Sequence, residues 1–233
     1  MKKFKVFTLG MCLVIAFAGC NNLQKGTAIG AGGGALLGTL IGVWAGNAAL
    51  GAAIGTAIGA GAGALIGNHM DKIAKEAAQI KNAKVEKLKD ANGLDAIKVS
   101  FDSGLLFATG KYDLNSTVKS NLQQFAGVLT RNDDCDVAIY GHTDNSGFGS
   151  KYTAEQNAEK NLVLSQERAE SVKAYLQSCG VNQEQVKYTK GFGQTSPVAS
   201  NETAEGKQQN RRVEVYLYAS EKMINEANAG TLN

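Results

Sequence analysis

The stretch AIYGHTDNSG, residues 138–147, sets an imidazole and a carboxylate two positions apart at the end of an apolar run. On a strand, His142 and Asp144 would share a face, as an acid/base pair or two metal ligands must. A triad or a zinc centre needs further partners, and the chain has 2 histidines, His69 and His142. It contains no G-x-S-x-G elbow, no H-E-x-x-H helix and no CxxC pair, so hydrolase and metal chemistry find little support. No catalytic residue, metal or cofactor is expected. A strand end followed by turn residues fits the spacing equally well, and so does a site that only holds a ligand.

The elements that must position these residues read as a mixed α/β domain over 95–219. IKVSFDSGLLF is a strand and turn, LNSTVKSNLQQFAGVLTRN an amphipathic helix and CDVAIYGHT a buried strand. LSQERAESVKAYLQSCG reads as a second helix with Ser165 as its N-cap and Gly180 just past its end. VKYTKGFG and RRVEVYLYA supply two more strands, which gives the order β-α-β-α-β-β in a mixed sheet. Before this domain, residues 68–94 read as a charged spacer helix with Ile73, Ala77, Ile80 and Leu88 at helical spacing, stopped by Asn92-Gly93. His69 there is an interfacial polar residue rather than a ligand. Residues 220–233 read as a polar tail.

The N-terminal quarter carries a different message. Residues 1–19, MKKFKVFTLGMCLVIAFAG, have the basic start, short apolar run and small-residue end of a secretory signal peptide. Cys20 follows directly, and FAGC resembles a bacterial lipobox, which implies a lipidated N-terminus over 20–25. Phe17 departs from that pattern, and Asn21 in place of Asp implies sorting to the outer membrane. From 26 to 67 glycine recurs every fourth residue, Gly26 to Gly46 and then, after a phase break, Gly51 to Gly67, with no Asp, Glu, Lys or Arg between. A spacing of four lines the glycines along one helix ridge, where backbones can touch. Each half would be ~30 Å long as a helix, so the segment reads as a membrane-embedded helical hairpin with a surface for homo-oligomers. The 24 basic residues become 21 once Lys2, Lys3 and Lys5 leave with the signal, against 21 acidic ones. Such balance lacks the basic footprint of nucleic-acid binding. Of 4 cysteines, Cys135 and Cys179 remain as a candidate disulfide in an exported chain, near the start of a strand and the end of the returning helix.

Three motifs in register, YGHTDNSG, NLVLSQERAESV and GFGQTSPVASNETAEGKQQNRRVEVYL, resemble the OmpA-like peptidoglycan-binding domain over 95–219. With the lipobox and the glycine zipper, the whole chain is similar to OmpA-family lipoproteins of the YiaD type. The resemblance implies that Asp144 and Arg168 bind diaminopimelate in the peptide stem of peptidoglycan, with Asn161 positioning the loop and Thr143 and the Phe107 region walling the site. Diaminopimelate offers an ammonium and a carboxylate on one carbon, which an acceptor-only carboxylate and a five-donor guanidinium can grip from two ends. A helix start near Ser165 would add free N–H groups. Arg211 and Arg212 match a family motif, as ligand contacts or as strand-edge charges. His142 is expected to support Asp144 by hydrogen bonding. Residues 145–160 are longer than the usual family loop. The resulting expectation is a lipid-anchored outer-membrane protein facing the periplasm that tethers membrane to wall. A MotB-like stator would need an ionisable residue in 26–67, which that segment lacks, and a peptidoglycan-acting enzyme would have to use Asp144.

If Cys20 is the mature, lipidated N-terminus, a Cys20→Ala protein will lose acyl labelling, even if the glycine-rich segment keeps it with the membrane. Labelling that persists unchanged overturns the assignment.

Overall fold

Alternation in VAIY and VEVYLYA sends every second side chain to one face of a sheet, and the long helices close that same face. The computed structural model describes residues 58–59, 61–90 and 92–232. In chain order they form α1 (Ala62–Ala77), β1 (Ala83–Lys89), β2 (Asp95–Asp102), α2 (Ser103–Leu106), α3 (Ser116–Arg131), β3 (Cys135–His142), α4 (Ala154–Ser178), a short 3-10 turn (Gln183–Gln185), β4 (Val186–Gly191), α5 (Ala204–Asn210), β5 (Arg212–Ala219) and α6 (Glu221–Ala229). The sheet runs β1-β2-β5-β3-β4. Only β3 and β4 are parallel, joined through α4, and the other neighbours are antiparallel. The expected mixed sheet is what the chain forms, and the β-α-β-α-β-β order from Asp95 holds apart from two short helices, α2 and α5.

One core unites the helices with Ile97, Val99, Val137, Ile139, Val213, Val215 and Leu217. The opposite sheet face carries a separate cluster of Leu88, Ala96, Ala138, Tyr140, Phe192 and Tyr218. Period-two alternation on β3 and β5 produces this division. The register aligns Asp102 with Arg212 and Arg212 with His142, so β2, β3 and β5 share one end. Asp144 lies just beyond it.

The segment expected to be a spacer helix divides in two. α1 begins at Ala62, inside the glycine repeat, and buries Ala62, Ile66, Met70, Ile73, Ala74 and Ala77 at helical spacing. It stops at Ala77, and Asn82, in the left-handed region at φ 64°, leads into β1. Residues 83–89 are good helix formers by intrinsic propensity, yet all seven pair with β2. A full ladder on a sheet edge outweighs tenths of a kcal/mol of propensity per residue, and Lys84, Lys87 and Lys89 keep that edge soluble. Asn92-Gly93 therefore closes a β-hairpin rather than ending a helix, with Gly93 at φ 78° and Asp90 accepting from the Asn92 and Leu94 N–H groups. His69 is interfacial as expected, with Nε2 3.1 Å from Asp134 Oδ2.

The polar tail is also a structured element. Ser220 caps α6, accepting from the Met223 N–H, and Met223, Ile224 and Ala227 are buried in the main core. Gly59 N–H donates to Asn228 on this helix, so α1 and α6 pack together below the sheet end that carries Asp95 and Ala219. The expected disulfide is absent, and Cys135 and Cys179 are free thiols. Cys135 is fully buried, and burial pushes its thiol well above the ordinary value; it packs as a small hydrophobe, without the thiolate that disulfide exchange requires. The signal peptide, Cys20 and the glycine repeat before residue 58 lie outside the described residues. Among the described residues no helix is long and apolar enough to cross a membrane.

Met223→Ala is expected to cost about 2–5 kcal/mol in urea denaturation, as for other large-to-small core changes. A loss below about 0.5 kcal/mol, the level of a surface substitution, would show that α6 is not part of the cooperative unit.

Candidate ligand-binding cleft

Two glycines bring α4 onto the sheet at backbone distance. A Cβ on Gly141 in β3 would fall 2.0 Å from the Ser165 carbonyl oxygen, and one on Gly191 in β4 would fall 2.3 Å from Gln166 N. No other residue fits at either position. The contact is fastened by hydrogen bonds: Ser165 Oγ donates to Leu162 O and accepts from Gly193 N–H, and Gln166 Oε1 accepts from Gly191 N–H. Ser165 is thus a buried mid-helix residue and not an N-cap. The helix starts more than two turns earlier, where Thr153 and Gln156 form a reciprocal capping box. Free N–H groups at Ser165 do not exist, and the expected helix-dipole contribution to the site falls away. The long stretch 145–160 is a short loop followed by the first turns of α4.

This packing brings Thr143, Asp144, Asn161 and Arg168 into one cleft of about 680 Å³, within the usual range for a ligand site. All four are at least 96% buried. Asp144 Oδ1 accepts from Ser146 N–H, and Oδ2 is ion-paired with Arg211. Burial pushes this carboxyl up, but the Ser146 N–H and Arg211 together outweigh it and hold it below its ordinary value of 3.8. Asn161 donates to Ser146 O and to Gln194 Oε1, tying down the loop after Asp144. The Thr143 N–H donates to Gly193 O, and its buried hydroxyl has no hydrogen-bond partner among the described residues.

Arg168 stands apart from the other buried arginine. Its Nε donates to the Lys111 carbonyl and its guanidinium stacks 5.1 Å from the Phe107 ring centroid. Among the described residues it forms no ion pair with a carboxylate. Burial, with Arg211 nearby, lowers its pKa to about 10, against a partial pull upward from Asp144. Arg212, by contrast, is closed in by Glu214, Ser196 and Asn210. The cleft therefore holds two guanidiniums against one carboxylate. That imbalance suits a ligand carboxylate at Arg168, while the remaining lone pairs of Asp144 can take an ammonium.

The two residues that first drew attention part company. β3 ends at His142, whose side chain belongs to the other sheet face with Tyr140, stacked 5.4 Å from Phe192. Its Nε2 lies 3.3 Å from Glu214 Oε2, so it supports Glu214 rather than Asp144. Burial, helped by Arg212, lowers the His142 pKa against the pull of Glu214. Glu214 is raised by burial, but His142 and Arg212 more than reverse this and hold it well below the carboxylate range. Arg211 is the cleft residue that sequence reasoning left undecided. It is the residue between α5 and the first residue of β5, Arg212, and it takes the cleft side while Arg212 takes the other face. Ser103, Gly104 and Asn115, contributed by the connection through α2, were missed for want of any motif.

A profile of the OmpA family matches residues 106–211, which contain every cleft residue named except Ser103 and Gly104, and one of the YMGG-like Gly-zipper matches residues 1–71. The probable lipoprotein YiaD of Escherichia coli K12 is 34% identical over 195 residues, spanning 82% of this chain and 83% of its own. The peptidoglycan-associated lipoprotein of Buchnera aphidicola is 33% identical over 115 residues, a match that spans 49% of this chain and 61% of the relative. The solved cell wall anchor of the T6SS from Pseudomonas aeruginosa aligns with a TM-score of 0.52 at 26% identity, over 65% of this chain and 97% of its own. Likeness to YiaD along most of both sequences, the matching profile and the shared architecture agree: this chain belongs to the OmpA family, as a member with a glycine-zipper segment ahead of its OmpA domain.

Proposed function

We propose that this protein binds peptidoglycan non-covalently through diaminopimelate and tethers the outer membrane to the wall from the periplasmic side. The observation that carries the reading is Arg168, a guanidinium 96% buried with no carboxylate partner among the described residues, facing Asp144 across the cleft. A desolvated charge left in this state is costly, and a ligand carboxylate relieves it. Asp144 takes the ammonium on the same carbon, and Asn161 and Thr143 hold the loop and close the wall of the cleft. The names of the relatives, a peptidoglycan-associated lipoprotein and a cell wall anchor, support the same ligand. No step breaks a bond.

Membrane attachment in this reading comes from acyl chains on Cys20 and from the glycine zipper, which also provides a surface for self-association. The topology suits a tether. The chain enters α1 near Asn228 and Asp95, at the sheet end opposite Asp144, so anchor and ligand pull on opposite ends of one rigid sheet.

Arg168→Lys is expected to bind nearly as poorly as Arg168→Ala, because an ammonium keeps the charge but loses the planar fork. The cost should be ~2–5 kcal/mol, as for one partner removed from a desolvated pair. Calorimetric titration of the full-length protein with a diaminopimelate-containing stem peptide measures it. Near-normal binding by the lysine variant would show that only charge matters, and normal binding by Asp144→Ala would remove the site.

Acid should weaken the same binding. The Asp144 pKa is lowered in the fold, so its ionised form, and the stability linked to it, persists above the ordinary carboxylate value of 3.8 and is lost as pH falls through the lower folded value. Arg211→Gln removes one of the groups that hold this pKa down while leaving the burial. The loss is then expected to set in at higher pH in titrations followed by carboxyl NMR, and an unchanged midpoint would contradict the assigned role of Arg211.

A further inference from the structure

A second groove of about 500 Å³ runs beside the cleft. Gly110, Phe148 and Leu164 line both, so the two are continuous. α4 presents neighbouring stripes to them: Asn161, Leu164 and Arg168 to the cleft, and Gln156, Lys160, Val163 and Glu167 to the groove, each at helical spacing. The other wall is the loop 145–153, which brings Phe148 and Tyr152. Phe148 is 38% exposed and Val163 52%, a run of apolar surface next to a binding site. Lys160 Nζ lies 4.4 Å from the Tyr152 ring centroid and 5.8 Å from that of Phe148, and Lys151 Nζ lies 4.9 Å from the Tyr152 centroid.

The lining selects among ligand classes. An apolar peptide would strip water from Lys160, Glu159 and Glu167 without replacing it. An anion would meet Glu159 and Glu167 in the same lining as Lys160. A sugar satisfies both halves: its C–H faces pack on aromatic rings, while hydroxyl and acetamido groups at its edge exchange hydrogen bonds with Gln156, Glu159 and Lys160. In peptidoglycan the sugar chain joins the start of the stem peptide, on the order of 10 Å from diaminopimelate at ~3.5 Å per residue. A groove opening directly from the cleft is therefore placed to meet it.

We propose that the groove between α4 and the 145–153 loop is a sugar subsite, so that the protein reads the N-acetylated glycan together with the stem peptide. The proposal rests on the wall-binding reading above and deepens it. Full-length protein would be titrated with a diaminopimelate-containing stem tripeptide and with the same tripeptide carrying its disaccharide. Wild type is expected to bind the disaccharide-tripeptide roughly tenfold more tightly, a factor worth ~1.4 kcal/mol. Tyr152→Ala should bring the two affinities together without changing that for the tripeptide, which also serves as the folding control. Tyr152→Phe should restore the preference, since it keeps the ring. Equal binding of both ligands by wild type, a preference that survives Tyr152→Ala, or a loss of tripeptide binding in that variant overturns the subsite and leaves the cleft intact. Failure of wild type to bind either ligand overturns the wall-binding reading and the subsite with it.

Discussion

The contact on which the site depends is the one between the α4 backbone and the two glycines, Gly141 and Gly191. With side chains at either position the helix could not sit where it does, since the nearest backbone atoms would be at 2.0 and 2.3 Å. That closeness lets side chains from the helix middle reach a loop that starts at the end of β3. Asn161 and Arg168, seven residues or about two turns apart, both come to the level of Asp144. Ser165 lies between them and is used to fasten the helix to Gly193. The site is thus held by rigid elements on two sides.

Two buried charge clusters lie at this end of the sheet, separated by its thickness. On the far face Glu214 is satisfied by Arg212, Tyr216 and His142. On the near side Asp144 and Arg211 pair, and Arg168 is left with a carbonyl and a ring. A network whose charges are paired contributes order and uniqueness to the fold. An incomplete one is where a ligand can supply what is missing, and the difference between adjacent Arg211 and Arg212 comes down to which face each occupies.

The domain is larger than its motif-bearing part. β1 extends the sheet, and α1 and α6 complete the core against its helix-covered face. A fragment of residues 95–219 would expose the β2 edge and the buried side of the helical layer, so binding is best measured on the full chain. The same additions place the entry of the chain at the sheet end away from the cleft.

Much of this was legible without coordinates. Period-two alternation specified β2, β3 and β5, amphipathic spacing specified α3, residue chemistry directed attention to Asp144, and the resemblance to the OmpA-like domain directed it to Arg168. The capping box of α4 was legible too, since Thr153 and Gln156 carry its signature, but Ser165 beside a stronger apolar pattern drew the assignment inward. Other features had no local signal. Residues 83–89 have helical propensity and become a strand only because β2 offers seven partners. Met223 and Ile224 look incidental in a polar tail until α1 and the sheet provide a surface to cover. His142 and Asp144 are two apart in sequence, yet the strand ends between them and they go to different sides. Local patterns determine what a segment can form and which residue types are available. Which neighbour completes a ladder, which face a side chain takes and which charge is left unpaired are set by long-range packing, because burial and desolvation depend on atoms that are distant in sequence.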